Sequence, residues 1–125
     1  MELPFLQHVG ARLVDKADGA SVVALLIQPH HRNSSGLVHG GVPFTLADTA
    51  MGAALYSTLG PEERCATIEI KISYFRPITD GELVCRSRIV HRGRNTASLE
   101  AALTVGDTLV AGATGTFAIV PRKAP

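Results

Sequence analysis

Apolar residues follow two rhythms along this chain. From 67 to 74, Ile68, Ile70, Ile72 and Tyr74 alternate with Thr67, Glu69, Lys71 and Ser73, the period of two expected of a strand with one packed face. Apolar-rich runs at 82–91, 95–105 and 108–120 follow, separated by Asp80-Gly81, Arg92-Gly93 and Gly106-Asp107. These turn pairs predict an antiparallel meander of four strands. Gly112 and Gly115 in the last strand predict a bend or the close approach of another backbone. Pro121 ends the sheet and 122–125 is a short tail. Upstream, 2–8 predicts a short helical turn, and 11–16 and 20–28 predict two strands joined at Asp18-Gly19. The second of these, nearly continuous in apolar residues from Ser21 to Ile27, is expected to be buried on both faces. The polar run 28–36, with Asn33-Ser34-Ser35-Gly36, reads as a loop.

From Val42 to Leu59 the rhythm changes to that of a helix. Pro43 falls in the first turn, where a missing N–H is harmless, and Gly60-Pro61 marks the end. Val42, Phe44, Leu46, Ala47, Ala50, Met51, Ala53, Ala54 and Leu55 leave no broad polar face. A helix of that kind is wrapped by protein. Its polarity is confined to a stripe, Thr45, Asp48, Thr49, Gly52 and Tyr56, in which Asp48 is the single acid.

Length and charge narrow the possibilities. The 125 residues suit one domain, 1–125. Twelve Lys and Arg against eleven Asp and Glu leave a net charge of +1, so there is no broad field to gather nucleic acid or an anionic membrane. Aromatic residues make up only 5% with no Trp, so the core must be built of Ala, Val, Leu and Ile. Cys65 and Cys85 lack metal-type spacing and are expected to be buried thiols. The first fourteen residues lack the features of a signal peptide and no apolar run is long enough to span a bilayer. A soluble, cytoplasmic protein is expected.

The chemistry gathers at the helix entrance. Asn33 precedes His39-Gly40-Gly41 by six positions, and Asp48 follows His39 by nine. N–H groups free at a helix start can receive an oxygen that carries negative charge, and glycines allow close approach. If Gly40 held a reacting carbonyl oxygen and Asp48 acted on the adjoining carbon, both would have to reach one carbonyl. Eight residues of helix span about 12 Å, too far within one copy. Two copies with their helices antiparallel about a two-fold axis satisfy the geometry, so the spacing asks for a homodimer with two composite sites.

The order Asn33, His39-Gly40-Gly41, Asp48, then Tyr74-Phe75-Arg76-Pro77 and Gly93-Arg94, resembles the hot-dog-fold acyl-CoA thioesterases of the phenylacetate-pathway type, over about residues 30–120. The resemblance implies an α+β fold, a curved antiparallel sheet wrapped around one long central helix, assembled as a homodimer or homotetramer. It implies that the Gly40 N–H polarises the thioester carbonyl, that Asn33 helps place the thioester or water, and that Asp48 of the partner subunit is nucleophile or general base. It further implies that His39 fixes the turn near the thioester and that Thr67 assists the water. No metal and no cofactor are expected beyond the coenzyme A of the substrate.

Simpler readings compete. The glycine pair can merely turn the chain into the helix, and Asp48 can be a buried acid bonded to the Thr45 or Thr49 hydroxyl. His30, His31, His39 and Asp48 make a poor metal set: adjacent histidines in an extended segment face opposite ways, and His39 and Asp48 lack helical zinc spacing. Gly41 would give substrate access. Arg76, Arg92 and Arg94, with Gly93 shaping their turn, could meet coenzyme A phosphates, whereas Arg86 and Arg88 share a solvated strand face. Two other functions remain open: an enoyl-CoA hydratase using His39 and Asp48, and a non-catalytic acyl-CoA-binding module.

Overall fold

The strand with the clearest alternation is not placed where a simple meander would put it. The computed structural model, which describes residues 3–122, has the elements α1 (Pro4–Val9), β1 (Ala11–Ala17), β2 (Ala20–Leu26), a 3-10 turn (Pro29–His31), α2 (Gly41–Tyr56), β3 (Glu63–Tyr74), β4 (Glu82–Arg92), β5 (Thr96–Val105) and β6 (Thr108–Pro121). The six strands form one antiparallel sheet in the order β1-β2-β4-β5-β6-β3. Strands β4, β5 and β6 are the expected meander. Strand β3 crosses over to pair with β6, so the four-strand meander is corrected to three. Turn residues say where a chain reverses, not which neighbour a preceding strand adopts. The expected helical turn starts at Pro4, residue 2 lying outside the described residues, as does the tail beyond Arg122.

A bulge in β3 also corrects the alternation. Thr67 pairs with Phe117 and Glu69 with Thr116, which leaves Ile68 without a partner. An extra residue of this kind shifts the side-chain phase by one. Before it Cys65 and Thr67, and after it Ile70, Ile72 and Tyr74, pair with Ile119, Phe117, Gly115, Ala113 and Ala111, residues of the helix-facing side. Thr67 thus turns toward α2, while Ile68 is 56% exposed.

Helix α2 lies on that side and touches all six strands. Leu46, Ala47, Ala50, Met51, Ala54 and Leu55 are fully buried, and each large one contributes roughly 1.5–3 kcal/mol by leaving water. Alanine predominates because a sheet wrapped around a helix leaves little room for larger side chains. The Ser21 hydroxyl donates to the Ala50 carbonyl at 2.5 Å, tying β2 to the helix. Within one chain the wrapping is incomplete. Gly41, Phe44 and Tyr56 are exposed and Thr45, Asp48, Thr49, Gly52 and Ala53 half-buried, a face that contains the stripe marked by polarity in the sequence and extends to Gly41, Phe44 and Ala53. On β2 the expected double burial holds at Val23, Ala24 and Leu25 but not at Leu26. Side chains come nearest the glycines of β6, the Phe75 ring at Gly112 and Met51 with Ile70 at Gly115, and the Ala101 backbone carbonyl would lie 4.0 Å from a Gly112 Cβ.

His31 joins the first helix to the segment leading into α2. It is 3% exposed; Nδ1 accepts from the Gln28 N–H at 2.8 Å, so Nε2 carries the proton and donates to the Val9 carbonyl at 2.6 Å. With both ring nitrogens engaged, His31 has no lone pair for a metal. His30 lies beside it, ring centroids 4.1 Å apart, instead of pointing the opposite way, because the pair sits in a 3-10 turn. No described helix is long and apolar enough to cross a membrane.

Candidate active site

The start of a helix leaves its first N–H groups without intrahelical acceptors, and here the preceding residue accounts for them one by one. His39 Nδ1 accepts from the Gly41 N–H at 2.8 Å. The His39 carbonyl accepts from the Val42 N–H at 2.9 Å. Pro43 has no N–H. Among the described residues, only the Gly40 N–H at this turn has no acceptor. The backbone at Gly40 is αR, φ −57° and ψ −24°, so it needs no glycine for its torsions; space demands glycine. A Cβ on Gly40 would lie 3.2 Å from the Tyr74 hydroxyl oxygen, and one on Gly41 only 3.0 Å from His39 Nδ1. Gly41 has its N–H engaged by His39, so what it offers a substrate is space.

Asn33 stands across the entrance. Its Oδ1 accepts from the Ser35 and Leu37 N–H groups at 2.9 and 3.3 Å, an arrangement typical of Asx turns. The loop is thereby closed on itself, leaving the Asn33 Nδ2 as the group able to donate outward. Asn33, Gly40, Pro43, Tyr74, Phe75 and Arg76 line a cavity of about 280 Å³. One chain therefore brings together Asn33, Gly40 and Arg76.

Two turns further along α2, Asp48 finds its donor on the sheet. The Thr67 hydroxyl donates to Asp48 Oδ1 at 2.8 Å, a contact made possible by the β3 bulge. Neither Thr45 nor Thr49 serves, and Thr45 instead donates to the Gly41 carbonyl at 2.9 Å. Among the described residues Asp48 forms no ion pair, and its Oδ2 is left for a ligand. Cys65, on the same side of β3, is half-buried rather than buried. Burial first, and the nearby Asp48 charge second, push its thiol above the ordinary cysteine value. Burial pushes Cys85 up to about 12.

The remaining arginines lie elsewhere. Arg92 pairs with Glu63 Oε1 at 3.0 Å, and the Gly93 N–H donates to the Thr96 carbonyl at 2.8 Å. Glu63 Oε1 also accepts from the Gly60 N–H just past the helix, so Arg92, Gly93 and Arg94 belong to the C-terminal end of α2. A helix of 16 residues puts them about 24 Å from Gly40 within one chain. The larger concavity, about 730 Å³ and lined by Lys71, Arg86, Arg88 and Glu100, holds none of the candidate catalytic residues. Arg88 is paired there with Glu100 at 2.6 Å.

Tyr74 is the residue that sequence reasoning passed over. Its hydroxyl donates to the Gly40 carbonyl at 2.6 Å. The available signal was its place in the alternation of β3, on the packed side and at the strand end nearest the glycine pair.

Comparison with known proteins places this geometry among relatives. The family model described as "Thioesterase superfamily" matches residues 35–114. The chain is 30% identical over 96 residues to human acyl-coenzyme A thioesterase 13, covering 74% of this chain and 66% of that one. A structure of a conserved protein from Pseudomonas aeruginosa superposes with a TM-score of 0.92 at 40% identity, covering 96% of each chain. A mutant of the phenylacetic acid degradation protein PaaI from Thermus thermophilus superposes with a TM-score of 0.86 at 31% identity, over 93% of this chain and 98% of that one.

Proposed function

The chain belongs to the thioesterase superfamily and is a thioester hydrolase, and from that premise we propose that it cleaves acyl-CoA thioesters at two sites shared between the subunits of a homodimer. The observation that carries the reading is the single unoccupied N–H at Gly40. In the reaction the thioester carbonyl accepts from it, and the bond strengthens as the oxygen becomes an oxyanion. Loss of such a donor typically costs about 2.7–4 kcal/mol in the barrier.

Asp48 of the partner subunit supplies the other half. With Oδ1 held by Thr67, Oδ2 either attacks the carbonyl carbon, releasing the CoA thiolate and leaving an anhydride that water opens, or takes a proton from the attacking water. Asn33 donates through Nδ2 to the thioester or to the water. His39 sets the turn. Sharing is supported by the distance of about 12 Å between Gly40 and Asp48 along one helix, by the uncovered stripe of α2, and by β3, a twelve-residue edge strand. Long edges of this kind call for cover. Antiparallel helices would also bring the partner's Arg94, which has no side-chain bond among the described residues, to the mouth where Arg76 stands, giving two cations for the phosphates. The hydratase alternative gains no support, because His39 Nδ1 is already held by Gly41.

Subunit complementation tests the reading. Asp48→Asn removes the acid, and Gly40→Pro removes the N–H at a φ that proline itself prefers, its Cβ displacing the Tyr74 hydroxyl that would lie 3.2 Å away. Each variant alone should release almost no thiol from a panel of acyl-CoAs. Refolded together in equal amounts, they should recover roughly a quarter of wild-type activity, since about half the dimers are mixed and each of those holds one whole site. No recovery from mixed dimers shown to form by mass would sink the shared site, and an inactive wild type would sink the substrate class. A single turnover in H₂¹⁸O bears on the two roles of Asp48: label in its carboxylate shows that it attacked and that water opened the anhydride at its own carbonyl.

A further inference from the structure

Among the described residues, the backbone groups of the entrance glycines other than the Gly40 N–H are fastened. His39 holds the N–H groups of Gly41 and Val42. The Gly40 carbonyl receives the Tyr74 hydroxyl at 2.6 Å, well inside the Phe44 N–H at 3.3 Å. The Tyr74 bond is therefore the stronger of the two. It also comes from a different element, and so fixes the turn against the sheet as well as along the helix. The residue being held is a glycine, whose backbone is the freest to drift. An oxyanion donor is effective only when preset to the position the charge will occupy.

We propose that Tyr74 is a positioning residue of the thioesterase site, holding the Gly40–Gly41 peptide through the Gly40 carbonyl and so fixing the Gly40 Cα, from which the N–H of the adjoining His39–Gly40 peptide is aimed at the developing oxyanion. The proposal rests on the thioester reading given above. Tyr74 itself need not touch the reacting atoms. Its ring lies against the position a Gly40 Cβ would fill and forms one wall of the cavity with Asn33 and Arg76, so hydroxyl and ring have separable tasks. The hydroxyl orients the turn; the ring shapes the pocket.

Tyr74→Phe removes the hydroxyl alone. Steady-state hydrolysis of an acyl-CoA that the wild type accepts should show kcat lowered about tenfold, the effect of one net hydrogen bond, with KM within about twofold. Tyr74→Leu, which removes the ring as well, should raise KM in addition. A purely structural role would lower thermal stability and the active fraction, leaving kcat per active site, counted by active-site titration, at the wild-type value. A Tyr74→Phe enzyme with kcat within twofold of wild type, or with KM alone changed, overturns the proposal. The ¹³C shift of the Gly40 carbonyl gives an independent reading without turnover: it should move in Tyr74→Phe, and an unmoved shift also overturns the clamp. Should the wild type cleave no acyl-CoA at all, the thioester reading fails by itself, and the carbonyl shift still decides whether Tyr74 holds Gly40.

Discussion

Replacing Gly41 by alanine should leave stability nearly unchanged when His39 is present and raise it when His39 is absent. Gly41 sits in the first turn of α2, with no left-handed torsion to protect. Alanine at a compatible position normally adds about 0.4–1 kcal/mol by restricting the unfolded chain. The new Cβ, however, would lie 3.0 Å from His39 Nδ1 and 3.2 Å from Cε1. Relief requires the ring to retreat by a few tenths of an ångström, which takes the Gly41 N–H···Nδ1 bond from 2.8 Å to about 3.2 Å, the outer limit of good geometry. A bond with a net worth of about 0.5–1.5 kcal/mol is thereby largely lost, and the two effects nearly cancel. In a His39→Ala background nothing is in the way, and Gly41→Ala should stabilise by the full 0.4–1 kcal/mol, about. Urea titration at fixed protein concentration reads the cycle. At a slope of about 1–3 kcal/mol per molar, the shift in the second background is about 0.1–1 M. The coupling energy expected is about 0.5–1.5 kcal/mol, above the scatter of independent sites. Equal shifts of the midpoint in the two backgrounds would falsify the assignment of His39 as the cap of this turn.

Two further outcomes follow from the Asp48 neighbourhood. Thr67→Val, which removes the donor to Asp48 Oδ1 but keeps the shape, should lower kcat about tenfold with little change in unfolding midpoint, while Thr67→Ser should keep most of the activity; equal rates for Val and Ser would refute a role for the hydroxyl. The Asp48 charge raises the Cys65 pKa, so Asp48→Asn should lower it, increase the thiolate fraction at pH 8 and speed iodoacetamide labelling at Cys65. Cys85, pushed up to about 12, should stay unlabelled in both proteins, and an unchanged or slower rate at Cys65 would contradict the proximity.

The sequence made the entrance and the helix readable because both depend on local chemistry. A glycine pair before Pro43, one acid in an apolar run and Gly60-Pro61 at the end are signals carried by adjacent residues. The partnership of β3 was not readable, since no turn residue records that a strand will skip its neighbour and lie against β6. The bulge was hidden more thoroughly. Ile68, Ile70 and Ile72 form so regular an alternation that they point to one face, yet the extra residue at Ile68 leaves it outside and sends Thr67 toward Asp48. For the same reason the sequence offers Thr45 and Thr49, on the same helix, as donors to Asp48, whereas the donor comes from the sheet. Tyr74 was visible as part of the strand-end motif, but its bond to Gly40 spans 34 positions, and only folded geometry could supply it. The arginines divide in the same way: their types suit phosphate, whereas the Glu63 pairing of Arg92 belongs to tertiary structure.

One consequence concerns what happens after the bond is cut. Asp48 has no countercharge among its described neighbours, and the proposed reaction converts an uncharged ester into a carboxylate beside it. Two like charges about 4 Å apart repel by about 1 kcal/mol in bulk water and about 4 kcal/mol at the effective dielectric of a protein surface. In that reaction the newly made acid would be repelled by the group that helped to make it, which favours its departure over retention.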